Sequence, residues 1–265
     1  MAKTAVQYQQ VTLSHGQTRY IEAGHGDPVI LIHGAPFQRS ADDWLPNLDA
    51  LAARFRVLAP DCVGWSPSDT FDQEYSFAYL ADFVREFQDA LGITRSHIVG
   101  ASMGGWIAAL VCYESPHRVV KCIQTGHNGV GAHPNAGMVN WKPPADDAIR
   151  AWIHKVASGA DVDVDAMAEG RVQKAHEPGR FEAFGKIMRH MGDGPTRIRY
   201  DVLRRLPHVT TPTLFVWGRE DPSFHLAEQA HAATPGSRLV VLDCGHDVNL
   251  ERPQEFNAAV LDFLS

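Results

Sequence analysis

The chain has 265 residues, of which 45% are hydrophobic and 21% are charged. This composition is that of a globular protein and excludes a disordered, collagen-like or coiled-coil chain. The formal net charge of −7 disfavours a general binder of nucleic acid or of anionic membranes. No apolar run approaches the ~18 residues of a membrane span, and the first ten residues contain no stretch of signal-peptide length. We therefore expect a cytoplasmic protein with neither a nucleic-acid nor a membrane partner.

The predicted elements alternate between strands and helices. Strands at 8–13, 18–23 and 29–32 precede a helix at 43–54, a strand at 56–59 and a helix at 77–91. A strand at 96–99, a helix at 103–114 and a strand at 119–124 follow. The region 131–206 is helical, polar and irregular, after which strands at 213–217 and 238–242 enclose a helix at 224–232. A last helix begins at Pro253.

This alternation predicts an α/β fold with a mostly parallel sheet covered by helices on both faces. We expect residues 1–130 and 207–265 to form the core, and 131–206 to form an inserted helical cap over the carboxyl edge of the sheet. The four cysteines form no CxxC pair, so we expect free thiols rather than a disulfide framework or a metal site.

The candidate nucleophile is Ser102. It is the central residue of Gly100-Ala101-Ser102-Met103-Gly104, a G-x-S-x-G pattern that follows a predicted strand and opens a predicted helix. A sharp turn of this kind forces its central residue into a strained conformation, and the small neighbours relieve the crowding. The start of the helix then directs backbone N–H groups toward the site.

A serine hydroxyl needs a nearby base, and that base needs an acid that orients it. His246 follows the last predicted strand, and Asp221 follows the strand before it. Both residues therefore lie at the carboxyl ends of parallel strands, where open α/β sheets place their sites. The competing acids are Glu220, Asp243 and Asp247.

Two backbone N–H groups are candidates for stabilising a developing oxyanion. One belongs to Met103, the residue after the nucleophile. The other belongs to the turn His33-Gly34-Ala35-Pro36 after the third strand. Proline has no N–H, so Ala35 is the better donor in that turn.

These features together resemble the α/β-hydrolase superfamily, because the HG turn, GASMGG, WGREDP and CGH occur in its order along nearly the whole chain. The resemblance implies the α/β-hydrolase fold, with an eight-stranded, mostly parallel sheet. It also implies a catalytic triad of Ser102, His246 and Asp221. Haloalkane dehalogenases and epoxide hydrolases of this fold have aspartate as the nucleophile, so Ser102 argues against both.

Within the superfamily, the Ser-Met-Gly-Gly core, the bulky Trp65 and the position of the cap resemble meta-cleavage-product hydrolases, which cleave C–C bonds of vinylogous diketone acids. That resemblance implies a cap arginine that binds the substrate carboxylate, and Arg171 is the candidate, with a solvated arginine as the alternative. Two features depart from the pattern. The oxyanion turn reads HGAPF rather than containing Gly-Pro-Gly, and Asp247 replaces the usual tryptophan after the histidine.

Three functions remain open from the sequence. A hydrolase of small carboxylic esters or lactones is the first, a C–C bond hydrolase of a 2-hydroxy-6-oxo-dienoate is the second, and a ligand receptor or perhydrolase on the same fold is the third. All three predict a small-molecule ligand and no cofactor or metal. The apolar residues Phe37, Trp65 and Trp106 are expected near the mouth of the site, where they favour a hydrophobic substrate, with a place in the core as the alternative for each.

Overall fold

A computed structural model describes residues 6–131, 133–158, 160 and 162–265. The eight strands form one sheet in the order β1-β2-β4-β3-β5-β6-β7-β8. Strand β2 runs antiparallel to β1 and β4, and the other neighbouring pairs are parallel. The strands are β1 (Gln7–Leu13), β2 (Gly16–Ala23), β3 (Pro28–Ile32), β4 (Arg56–Pro60), β5 (Ser96–Ala101), β6 (Val119–Thr125), β7 (Thr213–Gly218) and β8 (Arg238–Leu242). The predicted fold class, an eight-stranded, mostly parallel sheet flanked by helices, is confirmed.

The central strands are apolar on both faces because helices cover both faces of the sheet. In β3, Val29 and Leu31 pack in one core, and Ile30 and Ile32 pack in the other. All four are fully buried. Successive side chains of a strand point to opposite faces, so an unbroken apolar run is what a doubly covered strand requires.

Eleven helices lie in the described part of the chain. They are α1 (Leu45–Ala52), α2 (Phe77–Ala90), α3 (Met103–Glu114), α4 (Ala136–Val139), α5 (Asp146–Ala157), α6 (Val164–Ala175), α7 (Arg180–Gly192), α8 (Gly194–Tyr200), α9 (Phe224–Ala233), α10 (Val248–Glu251) and α11 (Pro253–Leu264). Helices α2 and α3 pack on one face of the sheet, and α1 and α11 pack on the other.

The predicted helix at 43–54 is two elements rather than one. A 3₁₀ turn spans Ala41–Trp44, and α1 begins only at Leu45. The Ser40 side chain accepts the N–H of Asp42 and caps the turn. Pro46 lies in the first turn of α1, where backbone N–H groups have no acceptor within the helix, so the N–H that proline lacks costs no hydrogen bond. A capping serine and a proline so close together separate the two elements.

Helices α4 to α8 fall between β6 and β7, and we call residues 136–200 the helical insertion. Helix α4 packs against α7, and α5 packs against α6 and against the turn at Ala41–Trp44. The insertion therefore contacts the core through α5, which packs on the turn that follows the loop after β3. Among the described residues, no helix is long and apolar enough to cross a membrane. All four cysteines are buried and free.

Candidate active site

Ser102 lies in the tight turn between β5 and α3. Its φ is 55° and its ψ is −117°, and within the described ranges it is the only residue other than glycine with positive φ. A side chain at positive φ is crowded by its own backbone, so this conformation persists only where the surrounding structure enforces it. The Ser102 N–H donates to the Thr125 carbonyl at 2.8 Å, which ties the turn to the end of β6.

The two glycines of the G-x-S-x-G pattern allow three backbones to approach one another. A Cβ on Gly100 would lie 2.1 Å from the Gly104 carbonyl oxygen. A Cβ on Gly104 would lie 2.1 Å from the Ile32 carbonyl oxygen. Neither position has room for a methyl group, so the pattern is what permits α3 to start against β3 and β5.

His246 is bound to Asp221. The His246 Nδ1 atom lies 2.8 Å from Asp221 Oδ2, and the other oxygen of Asp221 accepts the N–H and the hydroxyl of Ser223, both at 2.8 Å. Burial opposes ionisation of Asp221, but these hydrogen bonds hold its pKa below the ordinary value. The bond to Asp221 raises the pKa of His246 against the opposing effect of burial. The ionised carboxylate therefore places the ring proton on Nδ1 and leaves Nε2 as the free basic nitrogen.

The competing acids do not contact the imidazole. Asp243 and Asp247 each form an ion pair with an arginine, at 2.9 and 2.6 Å respectively. Glu220 is exposed. Of the four acids that the sequence offered, Asp221 is the one bound to His246.

Backbone packing places this pair and Ser102 at the end of the same strand. A Cβ on Gly126 would lie 3.0 Å from the Cε1 atom of His246. Gly126 follows Thr125, whose carbonyl accepts the Ser102 N–H. The turn of Ser102 and the imidazole therefore both lie at the end of β6, at the carboxyl edge of the sheet where Asp221 also lies.

The loop after β3 is fixed by two buried side chains. The His33 Nδ1–H donates to the Gly34 carbonyl at 2.8 Å, and its Nε2 accepts a backbone N–H from the turn after β4 at 2.9 Å. Burial lowers the pKa of His33 to about 3, so the ring is neutral. The Trp65 indole donates to the Ala35 carbonyl at 2.9 Å. Ala35 is thus held firmly, and it lines the same cavity as Met103.

A cavity of about 310 Å³ opens over Ser102 between the core and the helical insertion. This volume is at the lower end of the range for small-molecule sites. Of the residues predicted near the mouth, Phe37 and Trp106 line it. Trp65 does not, because its side chain is fully buried in the core and its indole is bound to the Ala35 carbonyl. Its apolar wall combines side chains of the core and of the insertion: Phe37, Phe77, Trp106, Trp141, Met188 and Met191.

The same cavity has a polar region that the sequence analysis missed, and Arg197 of α8 is its principal residue. Arg197 is 5% exposed, its guanidinium carbon lies 4.8 Å from the Trp106 ring centroid, and its N–H groups donate to the carbonyls of His133 and Asn128. Burial lowers its pKa to about 10, so it remains charged at neutral pH. Among the described residues its hydrogen-bond partners are these two carbonyls and the Met138 sulfur, with no carboxylate. Lys142 also lines the cavity.

Arg171, the predicted carboxylate-binding residue, does not line this cavity. Its guanidinium forms an ion pair with Asp42 and also donates to the Ser66 carbonyl at 2.8 Å and to the Ser40 hydroxyl at 3.1 Å. It is neither a ligand-binding group of the cavity nor a solvated cap arginine, because it is 4% exposed and both terminal nitrogens of its guanidinium already donate to core residues. The prediction for Arg171 is therefore corrected: it lies between α6 and the core.

Comparison with known proteins agrees with the fold. The model of the alpha/beta hydrolase family matches residues 29–259. The chain is 30% identical over 264 residues to 2-hydroxy-6-oxononadienedioate/2-hydroxy-6-oxononatrienedioate hydrolase 2 of Pseudomonas putida, covering 94% of this chain and 91% of the relative. It is also 30% identical to the dihydrolipoyllysine-residue acetyltransferase component of an acetoin cleaving system of Cupriavidus necator, covering 96% of this chain and 68% of that protein.

Among solved structures, a meta-cleavage product hydrolase of Pseudomonas fluorescens IP01 superposes with a TM-score of 0.77 at 26% identity, covering 97% of each chain. The chain therefore belongs to the alpha/beta hydrolase family, and the predicted family membership is confirmed. It is a hydrolase of that fold.

Proposed function

We propose that the protein is a serine hydrolase that cleaves a small, hydrophobic carboxylic ester or lactone through an acyl-enzyme. One observation carries this proposal. Ser102 forms part of the cavity wall in a strained turn, and it lies at the same strand end as a histidine whose Nδ1 is bound to a buried aspartate at 2.8 Å. A serine, a base and an acid that orients the base are the three groups that acyl transfer from an ester requires.

In the first half of the reaction, His246 Nε2 takes the proton of Ser102 Oγ as Oγ bonds to the substrate carbonyl carbon. The resulting oxyanion accepts the N–H groups of Ala35 and Met103, each of which is worth about 3 kcal/mol in enzymes of this kind. Asp221 stabilises the imidazolium that forms. The C–O bond to the leaving group then breaks, and His246 returns its proton to the departing oxygen.

In the second half, water attacks the acyl-enzyme with His246 as the base. A second cavity of about 410 Å³ lies beside Asp221 and His246 and shares Asn128 with the substrate cavity. It supports the proposal because it gives water a route to the imidazole that does not cross the bound acyl group. The carboxylic acid leaves, and Ser102 regains its proton from His246.

A second candidate function is hydrolysis of a C–C bond in a 2-hydroxy-6-oxo-dienoate. Arg197 favours it, because a buried cation in the cavity wall without a described carboxylate partner suits a substrate that carries its own carboxylate. The Pseudomonas putida relative, named as a hydrolase of two such dioates, points the same way. For this reaction Ser102 and His246 act on a ketone, and the bond that breaks joins two carbons.

The experiment that separates these functions is steady-state turnover of a paired panel. One arm contains p-nitrophenyl hexanoate and its carboxylated counterpart, the p-nitrophenyl monoester of adipic acid, together with aryl lactones. The other arm is a coloured 2-hydroxy-6-oxo-dienoate. We expect Ser102→Ala to reduce kcat by several orders of magnitude on every substrate that the parent protein turns over.

If the protein is an ester or lactone hydrolase, kcat/KM should be higher for esters or lactones. If it is a C–C bond hydrolase, kcat/KM should be higher for the dienoate. Arg197→Met should raise KM for the adipate monoester by roughly ten- to a hundredfold, because a hydrogen bond to a charged group is worth about 1.5–3 kcal/mol. The uncharged hexanoate is the matched control and should show little change. Full turnover by a folded Ser102→Ala variant would contradict both functions.

A further inference from the structure

Arg39 connects the oxyanion loop to the segment that carries the catalytic histidine. It lies four residues after Ala35, and its guanidinium donates to Asp247 Oδ1 at 2.6 Å and to Asp43 Oδ2 at 3.1 Å. Asp247 directly follows His246. The side chain of Arg39 is 8% exposed, so this is a largely buried ion pair rather than a surface one.

The same guanidinium fixes a helix of the insertion. The Arg39 guanidinium carbon lies 3.9 Å from the centroid of the Trp152 ring in α5. The Trp152 indole N–H donates to Asp43 Oδ1 at 3.0 Å. Three parts of the chain that are far apart in sequence therefore meet at Arg39: the loop after β3, the His246 segment and α5.

Arg39 and Ser102 both approach the backbone of Gly34. Its Nε–H is buried and finds no acceptor among the residues that the structure describes. A Cβ on Gly34 would lie 3.8 Å from this nitrogen and 3.3 Å from the Cβ of Ser102. A buried N–H without an acceptor destabilises a fold. The guanidinium of Arg39 leaves this N–H unpaired because its planar group contacts two carboxylates and an indole ring at once.

We propose that Arg39 and Asp247 are positioning residues: their ion pair holds His246 and the Ala35 loop in the relative placement that attack by Ser102 requires, with α5 docked on the other face of the guanidinium. This inference rests on the proposed serine-hydrolase function. It also accounts for Asp247, which stands where the hydrolases resembled by the sequence have tryptophan, because only an acidic side chain there can pair with Arg39.

The two positioning residues carry opposite charges near the imidazole, so replacing each of them should change the pH dependence of activity in a different direction. The charged and titratable side chains around the His246 segment come from neighbouring elements: Asp221, Arg39, Lys155, Glu251 and His225, together with Asp43, which is bound to Arg39. The bond to Asp221 is the main cause of the raised pKa of His246; the Asp247 carboxylate adds to the rise, and the Arg39 cation opposes it. Removing one charge or the other should therefore shift the histidine in opposite directions.

The test measures kcat/KM for p-nitrophenyl hexanoate from pH 5 to 9 in Asp247→Asn, Arg39→Met and the double variant. The acidic limb of the profile reports the base in the free enzyme. We expect Asp247→Asn to move this limb to lower pH and Arg39→Met to move it to higher pH, each by roughly half a unit or more. The limb of the double variant should lie near that of the parent protein, with kcat reduced at least tenfold.

Two further variants separate positioning from charge and from stability. Arg39→Lys keeps the cation but loses the planar fork, so its limb should stay in place while kcat falls. Arg238→Met removes an exposed arginine that pairs with Asp262 and should change neither quantity. Circular dichroism and the melting temperature identify the folded variants. If Arg39→Met does not fold, the shift in Asp247→Asn alone decides the matter.

Limbs that stay at the parent pH in Asp247→Asn and Arg39→Met, or that move in the same direction, would overturn the inference. So would an unchanged kcat in the double variant. A Ser102→Ala variant measured in parallel distinguishes a failure of the ion-pair inference from a failure of the proposed function. If it is inactive while the limbs stay fixed, only the role of the ion pair is wrong. If it is active, the proposed function itself fails.

Discussion

Replacing Arg171 by methionine should destabilise the protein without weakening substrate binding. Arg171 is 4% exposed and forms a buried ion pair with Asp42. Removing one member of such a pair costs about 3–5 kcal/mol, because the other charge remains buried. Asp42 keeps Arg19 at 2.9 Å and the Ser40 hydroxyl at 3.0 Å, so we expect the lower end, about 3 kcal/mol. For a chain of this size the melting temperature should then fall by about 6–12 °C.

The pH dependence of this loss has a defined sign. Burial alone would raise the pKa of Asp42, but the guanidinium groups of Arg19 and Arg171 hold it well below its usual range. A carboxylate with a lowered pKa in the folded state stabilises the fold above its unfolded pKa, near 4, and the stabilisation is lost as the pH falls. The difference in melting temperature between the parent protein and Arg171→Met should therefore narrow progressively below about pH 4.

The assay is thermal unfolding followed by circular dichroism, with KM for the p-nitrophenyl monoester of adipic acid measured well below the melting temperature. Arg150→Met is the matched control, because Arg150 lies on the insertion and forms exposed ion pairs with Asp147 and Glu169. Its melting temperature should stay nearly unchanged. A tenfold rise in KM for Arg171→Met, with an unchanged melting temperature, would refute the reasoning and return Arg171 to the substrate site.

Three further predictions follow from the site and its surroundings. Asp221→Asn should lower kcat by about ten-thousandfold with little change in melting temperature, because the imidazole loses the carboxylate that orients it; esterase kinetics test this. Burial raises the pKa of Asp43 to about 6, so the folded chain binds one more proton than the unfolded chain between about pH 4 and 6. The contribution of Asp43 to the free energy of unfolding therefore rises as the pH falls through this range. In urea titrations the Asp43→Asn variant should not show this rise in stability. Gly104→Ala should abolish folding because its Cβ would lie 2.1 Å from a backbone oxygen, whereas Gly170→Ala, in an open helical position, should stabilise the fold by about 0.5–1 kcal/mol in the same titrations.

The structural features that the sequence predicts are those determined by residues close together in the chain. The apolar run of β3 and the glycines around Ser102 identify their elements from a few adjacent residues. Even there, the ends of the elements differ from those predicted. Strand β5 continues to Ala101 rather than ending at 99, because it runs directly into the turn that carries Ser102. The pairing of His246 with Asp221 was predictable because parallel strands bring their carboxyl ends to one edge.

The residues that the sequence analysis missed depend on contacts between distant segments. Arg39 and Asp247 are 208 positions apart, and no periodic pattern links them. In the insertion, the sequence indicates helices but not which face of each helix turns toward Ser102. For that reason Arg171 was expected in the cavity that Arg197 in fact lines. Only the packing of α6 and α8 against the core separates the two arginines.

The central claim, that Ser102 is the nucleophile and His246 activates it, is tested most directly by labelling with a fluorophosphonate. The serine oxygen bonds to phosphorus and fluoride leaves, so the protein gains one adduct whose mass and position can be measured. We expect a single adduct on the tryptic peptide 96–118, no adduct in Ser102→Ala, and much slower labelling in His246→Ala. An adduct on another peptide, or equal labelling of Ser102→Ala, would contradict it.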